Sequence, residues 1–476
     1  MDKNELFKLL PKVDELIEES TKIVEFKGFS KEFRTNIIRE TLDTKRAEIS
    51  DGTITEKFGI TEVLRDIHNH LQKKIKHPIR RAINATGIIL HTNMGRAVVP
   101  DSARDAILDV LSYSTLEVDV ETGKRGNRLD KLEPLLCELT GAEGAVVVNN
   151  NAAATLLILA EMTNHGEEVI VARGQLVEIG GSFRLPEVMA QAGVTLREIG
   201  TTNKVHYHDY ENAINDKTAA LMKIHPSNFK IIGFTSEVPV IELSKIGKKY
   251  NLPVIDDLGA GAYADISTFG YDPEPLVRDS IRDGADIVCS SGDKLVGGIQ
   301  AGIIVGKSIW INKLRKHPLY RALRCDKITL AGLHACLQLF LDPDNLSKKN
   351  PTWFMMSMTD EQTMEIAKIF AKTMKNTVKG LEIQLKRGFS ELGSGSLPEA
   401  QIPTGLVAFK TEKLTVEELA RNLRLNEPPV FTRIEDERVI IDVRTLQPGD
   451  HEIILQALNR IINNDSHNKT TKRHYS

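Results

Sequence analysis

The stretch "CSSGDKLVGGIQAGIIVGK", residues 289–307, decides the fold. An apolar run that reads as a strand (285–289) ends in two serines and a glycine. Lys294 follows, and a second apolar run returns through residues 301–305. Lysine is almost never buried without a partner, so an ammonium group between two core strands is either a surface turn or a working residue. The same stretch carries an imitation of a phosphate loop, "GIIVGKS" (302–308). Three residues separate its glycines instead of four, and they form a strand where a loop belongs, so it is no nucleotide site.

Working outward, five more short apolar runs precede this pair: "AVVVN" from Ala145, "EVIVA" from Glu168, "TLREI" from Thr195, "ALMKIH" from Ala220 and "PVIDD" from Pro253. Amphipathic segments such as "AAATLLILAEMT", "IELSKIGKKYN" and "PLVRDSIRDG" lie between them. Alternating β and α units predict a mostly parallel, seven-stranded sheet covered by helices on both faces. Ligands of such sheets bind outside the carboxyl ends of the strands.

Three of those ends carry unusual chemistry. The first strand runs into "NNNAAA" (149–154), which opens a helix; its free N–H groups and the Asn side chains form an anion site, or else simply cap the helix. The fifth ends in Asp256 and Asp257, adjacent carboxylates that are costly to bury without a cation. The sixth ends at "SSGDK", with Lys294. A phosphate site, a carboxylate and a lysine on one sheet edge meet the combined demand of pyridoxal phosphate for a helix N-terminus, a partner for its ring nitrogen and an amine for a Schiff base.

Bulk properties exclude little else. The 476 residues are 41% hydrophobic and 27% charged with a formal net charge of -3, which announces neither a nucleic-acid nor a membrane partner. The N-terminus is acidic where a signal peptide is apolar, and the longest apolar run, "AAATLLILA", is too short to span a bilayer. Cys137, Cys289, Cys325 and Cys336 show no CxxC pair and no zinc spacing, as expected of reduced thiols in a cytoplasmic protein. Residues 1–75 read as a small helical domain: Leu9, Val13, Leu16 and Ile17 recur at helical spacing, as do Phe33, Ile37 and Ile38, with Ser30 as an N-cap. A cationic run follows at Lys73, Lys74, Lys76, Arg80 and Arg81. Residues 76–335 form the large domain, 336–462 a small α+β domain, and 463–476 a disordered tail without an apolar face.

The chain resembles the bacterial selenocysteine synthase family, the L-seryl-tRNA(Sec) selenium transferases. The matching stretches run in order along nearly the whole chain: "RRAINATGIILHTNMGRAVVP" (80–100), "NNNAAA", "SNFKIIGF" (227–234), "DLGAG" (257–261), the lysine stretch, "HPLYRALRCDKITLAGL" (317–333) and "GSGSLPEAQIP" (393–403). The resemblance implies a fold type I, aminotransferase-like enzyme of pyridoxal phosphate with Lys294 as the Schiff-base lysine. It selects Asp257 over Asp256 as the pyridinium partner and places Asn150, Asn151, Ala152 and Ser291 at the cofactor phosphate, with His225 and Asn228 near the ring. Arg96, Arg321 and Arg324 match the arginines that take the selenium donor, and the spacing of the last two suggests one helical face.

The implied reaction removes the β-hydroxyl of serine esterified to tRNA(Sec), through an aminoacrylyl intermediate, and adds selenium from selenophosphate. The implied partners are that tRNA, bound by the N-terminal domain, and further copies of the chain in a decamer, a pentamer of dimers. Two alternatives stay open on the residues alone: another fold type I lyase or ammonia-lyase acting on a small phosphorylated substrate, and a non-enzymatic RNA-binding protein.

Overall fold

The computed structural model describes residues 1–463 except 22, 180–182 and 399; from residue 464 the expected tail lies outside the described residues. The chain divides into two compact units, 1–81 and 82–476.

In the first unit two short helices, Lys3–Lys8 and Val13–Ser20, precede α1 (Lys31–Asp51) and α2 (Ile60–Ile75). Ser30 accepts a hydrogen bond from the Phe33 amide at 3.2 Å and so starts α1, and Gly52 in the left-handed region (φ 86°) stops it. Leu16, Ile37 and Ile38 are fully buried with Leu42, Val63, Ile67 and Leu71, while Leu9, Val13, Ile17 and Phe33 pack around them. The helical period of the sequence is thus the seam of this core.

The second unit is built on seven strands: β1 (Gly144–Val148), β2 (Glu168–Ala172), β3 (Thr195–Ile199), β4 (Thr218–Ile224), β5 (Val254–Asp257), β6 (Ile287–Ser291) and β7 (Gly302–Gly306). Their spatial order is β1-β7-β6-β5-β4-β2-β3, and every neighbouring pair is parallel except the two that β7 makes. This is the expected fold type I sheet. β7 runs backwards because the lysine stretch is a tight return and not a helical crossover, and antiparallel neighbours need no crossover. All residues of β1, β6 and β7 are buried. One face packs against α3 (Asn151–Met162), through Ala154, Leu157 and Ile158.

Beyond the sheet, α4 (Pro318–Leu323) leads towards α5 (Pro351–Ser357) and α6 (Asp360–Thr377). A four-stranded antiparallel sheet follows, with β8 (Glu382–Ser390), β9 (Ile402–Lys410), β10 (Arg433–Glu435) and β11 (Arg438–Asp442) in the order β8-β9-β11-β10. Arg444, 1% exposed, locks this part to α5. Its guanidinium donates to the carbonyls of Met355 (2.7 Å), Met358 (2.8 Å) and Pro403 (2.6 Å), and its Nε to Ser390 Oγ (3.2 Å). Asp442 beside it accepts from Ser390, Thr404 and the Arg444 amide. A Cβ at Gly87 (φ 82°) would stand 2.0 Å from Asp442 Oδ2, so only glycine lets the incoming chain pass.

Strand alternation sends the two aspartates at the end of β5 to opposite faces. Asp256 is 1% exposed, and neither of its carboxylate oxygens has a partner among the described residues. Burial pushes its carboxyl up to about 6. The nearby Tyr210 hydroxyl is buried without a partner too, and burial raises it as well.

Two outcomes follow. Arg444→Ala removes the donor to three buried carbonyls and to Ser390 Oγ and should cost about 3 kcal/mol, read as a fall in Tm. For Asp256, the folded carboxyl holds its proton more tightly than the unfolded one, whose ordinary value is about 3.9. Its favourable contribution is therefore complete below that value and is lost as pH rises through about 6. Asp256→Asn should accordingly gain Tm over the parent between pH 4 and 7, by roughly 2–3 kcal/mol at the upper end, and the gap should be flat above pH 7. A gap independent of pH would contradict the assignment.

Candidate active site

The carboxyl edge of the sheet gathers residues from β1, β4, β5 and β6. Asp257, 4% exposed, is the centre. Its Oδ1 accepts from Asn151 Nδ2 (2.7 Å) and the Gly259 amide (3.0 Å), and its Oδ2 from Thr155 Oγ1 (2.9 Å). Asn151 and Thr155 stand at i and i+4, one face of α3, so this helix both caps the sheet and fixes the acid. Thr155 was absent from the expected residues, although its spacing from Asn151 was the available signal.

The start of α3 divides its tasks. Asn150 is the N-cap, its Oδ1 accepting from the Ala153 amide at 2.9 Å. The backbone N–H groups of Asn151 and Ala152 come before the first intrahelical bond and stay open to an anion. The side chain of Asn151 is taken by Asp257, and its Oδ1 is buried with no partner. Gly302 allows this approach: a Cβ there would fall 2.1 Å from the Asn150 carbonyl oxygen. Ser291, at the end of β6, is held by its amide to the Gly259 carbonyl (2.9 Å), and its hydroxyl donates to no described group.

Lys294 is 6% exposed, and no hydrogen bond or ion pair holds its amine among the described residues. Burial lowers its pKa, and the Arg96 guanidinium lowers it further against the opposing pull of Asp293, Asp257 and Glu274. Arg96 itself has φ 64° and pairs with the neighbouring Asp293 at 2.6 Å. The result is a buried amine biased towards its neutral, nucleophilic form.

His225 follows β4. Its amide donates to the Asp257 carbonyl (2.8 Å), and its Nε2 lies 3.3 Å from Glu274 Oε2. Glu274, from "YDPEP", had no sequence signal. Asn228 donates through its Nδ2 to the Glu178 carbonyl (2.7 Å), and its Oδ1 is buried with no partner among the described residues. The arginines separate. α4 ends at Leu323, and Arg324 is extended (ψ 145°) because its backbone bridges Val148 at the end of β1. Arg321 and Arg324 therefore do not share a helical face, as their spacing suggested. Arg324 lies 3.8 Å from Glu117, and Arg321 is exposed with no charged partner among the described residues. Among the described residues no cluster has the makings of a metal site, and no helix is long and apolar enough to cross a membrane.

A family model described as L-seryl-tRNA selenium transferase (SelA) matches residues 82–447. The chain is 46% identical over 459 residues to the L-seryl-tRNA(Sec) selenium transferase of Caldanaerobacter subterraneus subsp. tengcongensis, covering 96% of this chain and 98% of that one. Against the transferase of the same name from Alkaliphilus oremlandii it is 42% identical, with 97% and 100% covered. Among solved structures, D-glucosaminate-6-phosphate ammonia-lyase shares the fold with a TM-score of 0.56 at 19% identity, over 83% of this chain and 99% of that one. With the sheet, the buried lysine and the clamped aspartate in place, the match over most of its length settles the lineage: the chain belongs to the L-seryl-tRNA selenium transferase family.

Proposed function

We propose that the protein converts L-seryl-tRNA(Sec) to L-selenocysteinyl-tRNA(Sec) with selenophosphate as the selenium donor and pyridoxal phosphate as cofactor. The observation that carries the reading is the buried, unpartnered amine of Lys294 on the same strand edge as an aspartate clamped by three hydrogen bonds. The site fits the cofactor on three further counts: the orphaned Asn151 Oδ1, the open amides of Asn151 and Ala152, and the free Ser291 hydroxyl. Lys294 would tether the cofactor, Asp257 would face its ring nitrogen, the amides and Ser291 would hold its phosphate, and His225 would flank the ring.

When bound, pyridoxal phosphate supplies an electron sink that acidifies the Cα–H of the seryl group. Lys294, its amine shifted towards the neutral form by burial, would accept that proton. Asp257 presents a carboxyl group already oriented by Asn151, Thr155 and Gly259. Arg96, held by Asp293, offers a guanidinium near the reacting centre, and with Arg321 and Arg324 it would neutralise the anionic donor. The N-terminal helices, with their cationic end, would take the body of the tRNA, in a cytoplasmic decamer.

The other lyase reading accounts for the sheet but gives the N-terminal unit no task. The non-enzymatic reading leaves the buried Lys294 amine unexplained. Incubation with seryl-tRNA(Sec) and selenophosphate should yield selenocysteinyl-tRNA(Sec), and seryl-tRNA(Ser) should not react. Lys294→Ala should remove the yellow colour of the purified enzyme and all turnover; a colourless parent that cannot be reconstituted with pyridoxal phosphate would overturn the reading. Arg321→Ala should raise the KM for selenophosphate at least tenfold while loss of the seryl hydroxyl proceeds nearly unchanged. Equal damage to both steps would remove Arg321 from the donor site.

A further inference from the structure

A cavity of about 730 Å³ opens on the same sheet edge, beyond His225 and away from Asp257. Its floor comes from the ends of β2 and β4, and its sides from residues 201–205, 235–237 and 270–274. That volume sits within the roughly 300–1,000 Å³ typical of sites for whole small molecules and greatly exceeds a seryl group. None of Asp257, Lys294 or Ser291 lines it. The reaction as proposed leaves it without a role.

Its chemistry narrows the ligand. Gln175 is 4% exposed; its Oε1 accepts from the Ile224 amide (3.1 Å), which fixes the carboxamide orientation and leaves its NH2 without a partner at the cavity wall. Phe229 and Tyr271 supply aromatic surface, and the Tyr271 hydroxyl is engaged with the Met356 carbonyl (2.7 Å), so its ring is the part left to pack. The charged lining is Lys204 and Lys230 against Glu237, Asp272 and Glu274. A compact dianion such as the selenium donor is not favoured there, whereas a neutral group with hydroxyls and a flat face is.

Position narrows it further. His225 is bonded through its amide to Asp257 and through its ring to Glu274, whose carboxylate also acts on the charge of Lys294. Moving outward along the edge, one meets Lys294, then the His225–Glu274 pair, then the cavity. In an aminoacyl ester the same sequence is amino acid, ribose hydroxyls, base. Carboxylates are suitable acceptors for ribose hydroxyls, and aromatic side chains for an unstacked base.

We propose that this cavity holds the terminal nucleoside of the acylated RNA, with its ribose against His225 and Glu274 and its adenine against Phe229, Tyr271 and the Gln175 amide. This assignment rests on the reading of the protein as acting on seryl-tRNA. It makes the seryl group alone a poor ligand, because recognition lies one sugar away from the chemistry.

The test measures binding to the cofactor-loaded full chain with two probes, L-serinamide and the hydrolysis-resistant 3'-amide of serine with 3'-amino-3'-deoxyadenosine. The adenosine amide should bind about 100-fold more tightly than serinamide. Phe229→Ala should lower its affinity about tenfold, the scale of one base–aromatic contact, with serinamide unaffected. Gln175→Glu, which keeps the acceptor for Ile224 and removes the donor, should do the same. Cofactor-free protein should bind adenosine 5'-monophosphate with the same dependence on both residues. Equal affinity for the two amides, or variants that weaken both alike, would overturn the assignment. Should the parent enzyme convert seryl-tRNA(Sec) while the adenosine amide gains nothing, the cavity assignment fails alone; should it convert no seryl-tRNA(Sec) with cofactor bound, the functional reading fails first.

Discussion

The structure turns on the three hydrogen bonds that hold the Asp257 carboxylate. They come from two helical residues and one loop amide, so the acid is oriented by α3 and by the loop after β5 at once. A buried carboxylate left to itself either takes up a proton or unfolds its surroundings. Asp256, one residue earlier, shows the contrast: the same side chain on the other face of the strand has no partner, and burial drives it towards the neutral form. Strand alternation sends two chemically identical groups to different surroundings, one clamped by three hydrogen bonds and one buried without a clamp.

Charge is arranged with equal economy around Lys294. Arg96 is the nearest cation to act on it, yet Arg96 is itself held by Asp293 at the residue before the lysine. The half-buried guanidinium is thereby paired, and the lysine amine has no bond among the described residues to break before it reacts.

The sheet was legible because each strand is a short apolar run bounded by turn residues, and all seven runs lie where the strands are. Asn150, Lys294 and the Asp256–Asp257 pair were legible because strand ends and helix starts are local features, and the family resemblance chose Asp257 from the pair. Thr155 could have been found from its i+4 spacing to Asn151. Glu274 and Gln175 could not, since their partners, His225 and the Ile224 amide, are 49 residues away in each case and reach them only through the folded sheet. The arginine pair misled for the same reason: spacing at i and i+3 assumes a continuous helix, and the bridge from Arg324 to Val148 ends that helix one residue early.

The bond from Asn151 to Asp257 has a metric consequence. Asn151 contributes an open backbone amide at the helix start and a side chain that grips the acid, so one residue sets the span between the anion cradle and the carboxylate. Neither end can drift while that 2.7 Å contact persists. The site therefore has the form of a caliper of fixed opening: a ligand with an anionic group for the helix start and a hydrogen-bonding group for the carboxyl engages both jaws only at the matching separation, and at any other it engages one.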